Sequence, residues 1–264
     1  VENIVSRLAI HYGNNPTVIG WQIDNEPGHY GVVDYSENAQ AKFRIWLQKK
    51  YGTIDKLNDT WGASFWSETY QNFEQVRLPN QQEVPDKANP HAMLDLNRFM
   101  ADELAGFVNM QADILRRHIH KDQWITTNLI PIFNPVDPVR IDHPDFLTYT
   151  RYLVTGHNQG IGSQGFRMGI PEDLGFSNDQ FRNRVGKAFG VMELQPGQVN
   201  WGVYNPQPLP GAIRMWVYHV FAGGGKFVCN YRFRQPLKGS EQYHYGMIMT
   251  DGVTLSPGGE EYVR

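Results

Sequence analysis

Cysteine is almost missing from this chain: Cys229 is the single one in 264 residues. One thiol excludes an intrachain disulfide and leaves the redox compartment open. Long apolar runs are missing too. None approaches the roughly 18 residues that a membrane-spanning helix needs, and Val1–Ile10 shows no basic stretch followed by an apolar one, so no secretory leader is read there. Excess positive charge is also lacking. Lys and Arg number 24 against 27 Asp and Glu, the formal charge is −3, and the basic residues are scattered, which argues against a nucleic-acid groove. There is no internal repeat and no low-complexity tract. Nothing in the sequence indicates a cellular compartment.

What is present is enough apolar material for a sizeable core, with 41% hydrophobic residues. A single domain over residues 1–264 is the simplest organisation for that length. Aromatics reach 13%, with seven tryptophans. Most of these rings are read as core, where they carry much of the burial energy. A minority is expected to line a cleft, since a flat ring stacks well on the C–H face of a sugar.

The chain alternates between two periodicities. Val1–Tyr12 reads as the end of an amphipathic helix, so the chain looks like a piece of something longer. Val18–Ile23 is a short apolar strand closed by Asp24-Asn25-Glu26-Pro27-Gly28. Asp34 and Glu37 suit a capping box for a helix carrying Ala39, Phe43, Trp46 and Leu47 on one face and stopped by Gly52. A shorter helix over Thr53–Trp61 ends at Gly62. Gln71–Pro90, with Pro79, Pro85 and Pro90, is read as a loop. A long amphipathic helix is expected from His91 to about His120, then strands at Trp124–Leu129 and Phe146–Val154. Asn178–Ala188 is read as helix, Phe189–Glu193 as strand, Gly211–Ala222 as a buried helix and Lys226–Phe233 as a final strand. Short buried strands alternating with helices predict a parallel α/β sheet with crossover helices.

Two glutamates stand where strands end. Glu26 follows Asn25 at the end of the first apolar run, and Glu193 follows Gly190-Val191-Met192 and enters Leu194-Gln195-Pro196-Gly197. Cleavage of a glycosidic bond needs two carboxyls flanking the anomeric carbon, one to protonate the leaving oxygen and one to attack or activate water. Strand ends of an α/β barrel are where such groups gather. An Asn beside the acid is useful, because its amide can donate to the sugar 2-hydroxyl. Taken alone, each glutamate reads more readily as a turn or loop residue in solvent; two of them at the ends of buried strands reverse that preference.

The wording of the segments adds to this. WQIDNEPG (Trp21–Gly28), AKFRIWLQKKYGTIDKLNDTWG (Ala41–Gly62), FWS (Phe65–Ser67), MELQPGQVNW (Met192–Trp201) and YRFRQPLKGSEQYHYGM (Tyr231–Met247) resemble glycoside hydrolase family 42, the β-galactosidases built on a (β/α)8 barrel. The matches run in order along nearly the whole chain. The resemblance implies Glu26 as acid/base at the fourth barrel strand, Asn25 as a sugar-binding residue and Glu193 as nucleophile at the seventh. It also implies Trp201 as an aromatic wall of the galactose site, with Glu241 and His244 binding galactose hydroxyls. On this reading the chain covers roughly strands four to eight and lacks the first three. The activity implied is that of a retaining β-galactosidase needing no cofactor, with a β-galactoside substrate, no nucleic-acid or membrane partner, and assembly as a homo-oligomer, a trimer by resemblance. The alternatives are another β-glycosidase of the same clan, acting on arabinosides, fucosides or xylosides, and a non-catalytic carbohydrate-binding fragment.

Two departures from the family pattern stand out. Gly28–Asn38 contains none of the cysteines that bind zinc in many members, and His118 and His120, read as pointing different ways on one helix, do not replace them. Tyr149-Thr150-Arg151-Tyr152 stands where members usually have Trp-Asp-x-Tyr, leaving Arg151 either in the cleft or paired with a structural carboxylate.

Overall fold

A computed structural model describes residues 1–29, 31, 33–79, 89–132, 135–156, 165–185 and 188–264. In chain order the elements are α1 (Glu2–Tyr12), β1 (Gly20–Gln22), α2 (Glu37–Tyr51), α3 (Ile54–Trp61), α4 (Pro90–Arg116), β2 (Trp124–Thr126), β3 (Asn128–Leu129), β4 (Leu147–Arg151), α5 (Gly165–Met168), α6 (Pro171–Val185), β5 (Phe189–Leu194), α7 (Ala212–Ala222), β6 (Val228–Asn230) and α8 (Pro257–Tyr262). They form two compact units. One holds Val1–His29, Val108–Ile132 and Ile141–Arg264; the other holds Tyr30–Phe107 and Phe133–Arg140.

Among the described residues, the first unit contains every strand. All pairings between them are parallel, in the orders β1-β2 and β3-β4-β5-β6. The expected strand Trp124–Leu129 is split at Thr127: its first half pairs with β1 and its second with β4. The expected α/β arrangement is therefore present, with β5 one residue longer than the expected Phe189–Glu193 and the other strands shorter than the apolar runs suggested. Residues Phe146 and Tyr152–Val154 fall outside β4, and Lys226–Phe233 narrows to β6.

The two sheet faces differ in chemistry. On the outer face Tyr149 packs against Phe181 of α6 at 5.0 Å between ring centroids, and its hydroxyl donates to Asn178 Oδ1 at 2.6 Å. Trp216 of α7 is fully buried and donates its indole N–H to the Met168 carbonyl at 3.0 Å. The inner face is polar at its C-terminal end, where Thr148, Thr150 and Asn128 are buried. At its N-terminal end it is aromatic, with Phe146 5.5 Å from Trp124 and 6.1 Å from Phe227. Two glycines make room for that floor. A Cβ on Gly20 would meet the Trp124 ring at 2.0 Å, and one on Gly190 the Phe227 ring at 2.6 Å.

The second unit is helical. Phe43 and Leu47 of α2, Leu57 and Trp61 of α3, Leu96 and Phe99 of α4, and Val76 and Leu78 form its core. Thr53 caps α3 and Gly62, at φ 64°, ends it as expected. The capping of α2 differs from the expected Asp34–Glu37 box. Ser36 is the cap, accepting from Ala39 N at 3.2 Å, while Asp34 accepts from Ser36 N at 2.8 Å and steadies it. The loop read over Gln71–Pro90 contains a 3-10 turn at Phe73–Gln75, and its residues 80–88 lie outside the described ones, as do Gly186 and Lys187 at the end of the helix read over Asn178–Ala188. The helix α4 ends at Arg116, so His118 and His120 sit in the turn beyond it and not on a helix.

Candidate active site

Glu26 leaves the end of β1 on a strained turn. Asp24 and Glu26 both have left-handed backbones, φ 57° and 48°, a conformation that costs a non-glycine residue about 1–2 kcal/mol. Three backbone N–H groups help to hold the turn. Asn25 N donates to Asp24 Oδ1 at 2.9 Å, Glu26 N to the Asn128 side-chain oxygen at 3.3 Å, and His29 N to the Glu26 carbonyl at 3.0 Å. Burial pushes the Glu26 carboxyl above its ordinary range, and a hydrogen bond from the Thr150 hydroxyl pulls it partway back.

Glu193 reaches the same face through an irregularity in β5. Tyr149 pairs with Val191, but Thr150 pairs with Glu193, so Met192 is an extra residue. Paired residues of a parallel ladder share a face, so Val191 turns outward with Tyr149 while Glu193 turns inward with Thr150. Without the bulge, Glu193 would follow Val191 to the outer face. Tyr152 donates its hydroxyl to Glu193 Oε2 at 2.7 Å. Burial raises the Glu193 carboxyl, the Tyr152 bond counters this, and the charges of Glu26 and Glu241 raise it further. The two glutamates thus feel one another. Burial and the adjacent carboxylate push the Tyr152 phenol far up, which keeps it a donor.

The residues expected to bind sugar surround this pair. Asn25 is exposed, with its oxygen turned to Asn128 Nδ2 at 3.0 Å. Trp201 is 47% exposed and meets the Tyr152 ring edge-on at 5.0 Å. Glu241 is partly buried and accepts from the Tyr231 hydroxyl at 2.7 Å and the Arg232 guanidinium at 2.9 Å. His244 is fully buried, edge-on to Tyr231 at 5.5 Å and to Tyr152 at 5.9 Å. Burial lowers its pKa; the neutral ring can donate Nδ1–H to the Tyr245 carbonyl at 3.2 Å, which leaves Nε2 an acceptor with no hydrogen-bond partner. Both Trp201 and Glu241 are therefore open to a ligand, whereas His244 backs the two tyrosines that face it.

Sequence reasoning did not single out Tyr152, Tyr231, Arg232, Asn128 or Thr150. Tyr152 had a signal, since it occupies the Tyr of the Trp-Asp-x-Tyr pattern. Gln195 was missed too. Fully buried, it accepts from Leu153 N and Val154 N at 3.1 and 2.9 Å and donates to the Val154 carbonyl at 2.9 Å, tying the loop after β5 to the one after β4.

The sequence model of glycoside hydrolase family 42, described as beta-galactosidase, matches residues 1–264. The chain belongs to this family. Among its relatives, beta-galactosidase Bga of Halorubrum lacusprofundi is 36% identical over 94% of this chain and 36% of its own length. Beta-galactosidase BgaA of a Thermus species is 36% identical over 95% of this chain and 39% of its own. The crystal structure of a beta-galactosidase from the psychrophilic Marinomonas ef1 superposes with a TM-score of 0.90 at 34% identity, covering 98% of this chain and 40% of that one. The chain thus spans less than half the length of the relatives it matches. The strands β1 to β6 form the arc of a family 42 (β/α)8 barrel, with both glutamates at its polar face.

Where the sequence departs from the family 42 pattern, the structure is informative. Arg151 pairs with Asp173 at 2.9 Å, which settles it as a structural ion pair between β4 and α6. Among the described residues no group of three or more His, Cys, Asp or Glu side chains is placed to hold a metal ion. Nor is any helix among them long and apolar enough to cross a membrane.

Proposed function

We propose that the protein is a retaining β-galactosidase that removes terminal β-D-galactosyl residues by double displacement, with residues 1–264 belonging to a single catalytic domain. The observation that carries this reading is the pairing of Glu26 and Glu193 on one polar face, each raised by burial and the second raised further by the first. Two carboxyls in one another's field lose their protons in steps, so one of the pair keeps its proton to higher pH than the other. With Tyr152 donating to Glu193 Oε2 at 2.7 Å, we assign the charge to Glu193 as nucleophile and the shared proton to Glu26 as acid/base.

In the first half-reaction Glu193 attacks the anomeric carbon while Glu26 protonates the departing oxygen. Once the glycosyl ester forms, the charge on Glu193 is gone and the pKa of Glu26 falls; the Glu26 carboxylate left by the first proton transfer then takes a proton from the water that cleaves the ester. Asn25 directs its amide nitrogen to the 2-hydroxyl, the exposed Trp201 ring stacks on the apolar face of the sugar, and Glu241, held by Tyr231 and Arg232, accepts from galactose hydroxyls. His244 supplies its Nε2 only if the ring becomes accessible on binding. The specificity for galactose follows the name borne by the relatives. Association of identical chains, a trimer by family likeness, is part of the same reading, and light scattering would give its mass.

A covalent trap tests the assignment. Incubation of the intact protein with 2-deoxy-2-fluoro-β-D-galactosyl fluoride should add one fluorogalactosyl group, found by mass spectrometry on the peptide containing Glu193. Label on another carboxylate removes Glu193 as nucleophile. Turnover of an aryl β-galactoside that releases α-galactose first would make the enzyme inverting.

A further inference from the structure

The polar face of the sheet holds a group that the proposed chemistry does not yet use. Asn128 of β3 is 0% exposed and makes four side-chain hydrogen bonds, all that an amide can make. Its Oδ1 accepts from Gln22 Nε2 at 2.9 Å and from the backbone N–H of Glu26 at 3.3 Å. Its Nδ2 donates to Asn25 Oδ1 at 3.0 Å and to Thr150 Oγ1 at 2.9 Å. A backbone N–H can only donate, so the end of Asn128 facing Glu26 is the oxygen and the opposite end is the NH2.

That polarity propagates. Asn25 must turn its oxygen toward Asn128, which leaves its own NH2 on the outward, exposed side. Thr150, which is 1% exposed, receives Asn128 on an oxygen lone pair, so its proton is left for the Glu26 carboxylate. One buried amide thereby sets the direction of the hydrogen bonds on both sides of the strained Asp24–Glu26 turn.

We infer that Asn128 is a positioning residue for the reaction: it orients the amide of Asn25 as a donor toward the substrate and, through Thr150, directs a proton donor onto Glu26. This rests on the proposed role of Glu26. A neutral, four-bonded amide is required because an isosteric carboxylate would reverse both outcomes. Asn128→Asp would accept from Thr150, drawing its proton away from Glu26, and would accept from Asn25 Nδ2, drawing that donor inward. It would also place a negative charge beside Glu26.

The test compares the intact protein with Asn128→Asp, reading the Glu26 carboxyl by 13C NMR titration alongside the pH dependence of kcat/KM for an aryl β-galactoside. The expected result is a higher Glu26 pKa in the variant, the alkaline limb of the profile displaced to higher pH, and kcat reduced about 10²-fold with KM within about threefold. If Asn128→Asp fails to fold, Thr150→Val, which matches Thr in shape, cuts the last link and should raise the Glu26 pKa in the same direction. An unmoved Glu26 titration in both variants overturns the inference whether or not the protein turns over substrate. A shifted titration in a protein that hydrolyses no β-glycoside would keep the coupling and sink the proposed function.

Discussion

Tyr152 bears on a single oxygen of Glu193, and the consequence of losing it can be given a sign. Its hydroxyl donates at 2.7 Å to a carboxylate that burial and two neighbouring negative charges push upward. A hydrogen bond to a charged group contributes about 1.5–3 kcal/mol. Tyr152→Phe should therefore lower kcat/KM about 10–100-fold and move the acid limb of its pH profile to higher pH, because Glu193 then ionises less readily. A pH–rate series on the variant checks both; an unshifted acid limb would separate Tyr152 from the ionisation of Glu193. At this scale the sequence was partly legible. Glu26 and Glu193 could be found because a charged residue at the end of an apolar strand is conspicuous. Asn128 and Thr150 could not, because each owes its role to partners across the sheet (Gln22, Asn25 and Glu26 for the one, Glu26 for the other), and an Asn or Thr inside a β-rich run looks the same whether or not it meets them.

Elements were more readable where local chemistry decides them. The caps Thr53 and Gly62 delimit α3 as their residue types require. The bulge at Met192 was illegible: nothing in Phe-Gly-Val-Met-Glu-Leu marks which residue will be skipped, since that choice is made by pairing with β4. The helix α4 shows a third case, a carboxylate on an otherwise apolar stripe. Asp95 is 1% exposed and accepts from Tyr51 Oη at 2.5 Å and Trp61 Nε1 at 3.1 Å, with Lys50 paired to it as well. Burial alone would raise its pKa, but the bonds from Lys50, Tyr51 and Trp61 outweigh burial and lower it. A carboxylate held below its unfolded value, about 3.9 for Asp, adds stability above that pH and loses it as pH falls through the folded value. Asp95→Asn should destabilise the protein by about 2–3 kcal/mol near neutrality, less than a fully buried pair because Lys50 can turn to solvent. It should also flatten the loss of stability below about pH 4 that Asp95 contributes. Denaturant titrations at several pH values would show both; parallel stability curves for the two proteins would remove Asp95 from the acid response.

For the whole molecule, the parallel arc is the property that alternating periodicity announced, and its edges are what periodicity could not describe. Among the described residues β5 is flanked on both sides, by β4 and β6, while β1 is paired only with β2. Parallel pairing sends the N–H groups of successive residues to opposite sides. Ile19 O and Ile23 N bond toward β2, so the N–H groups of Gly20 and Gln22 point away from it. Hydrogen exchange reads this directly, because amides bonded within a ladder open only with the sheet and unbonded ones exchange freely. In a protein of residues 1–264, the amides of β5 should be among the slowest and those of Gly20 and Gln22 among the fastest in any strand. Slow exchange at Gly20 and Gln22 would mean that a further extended segment pairs along β1. In a longer chain of this family the same two amides then report whether the barrel arc is continued at that edge.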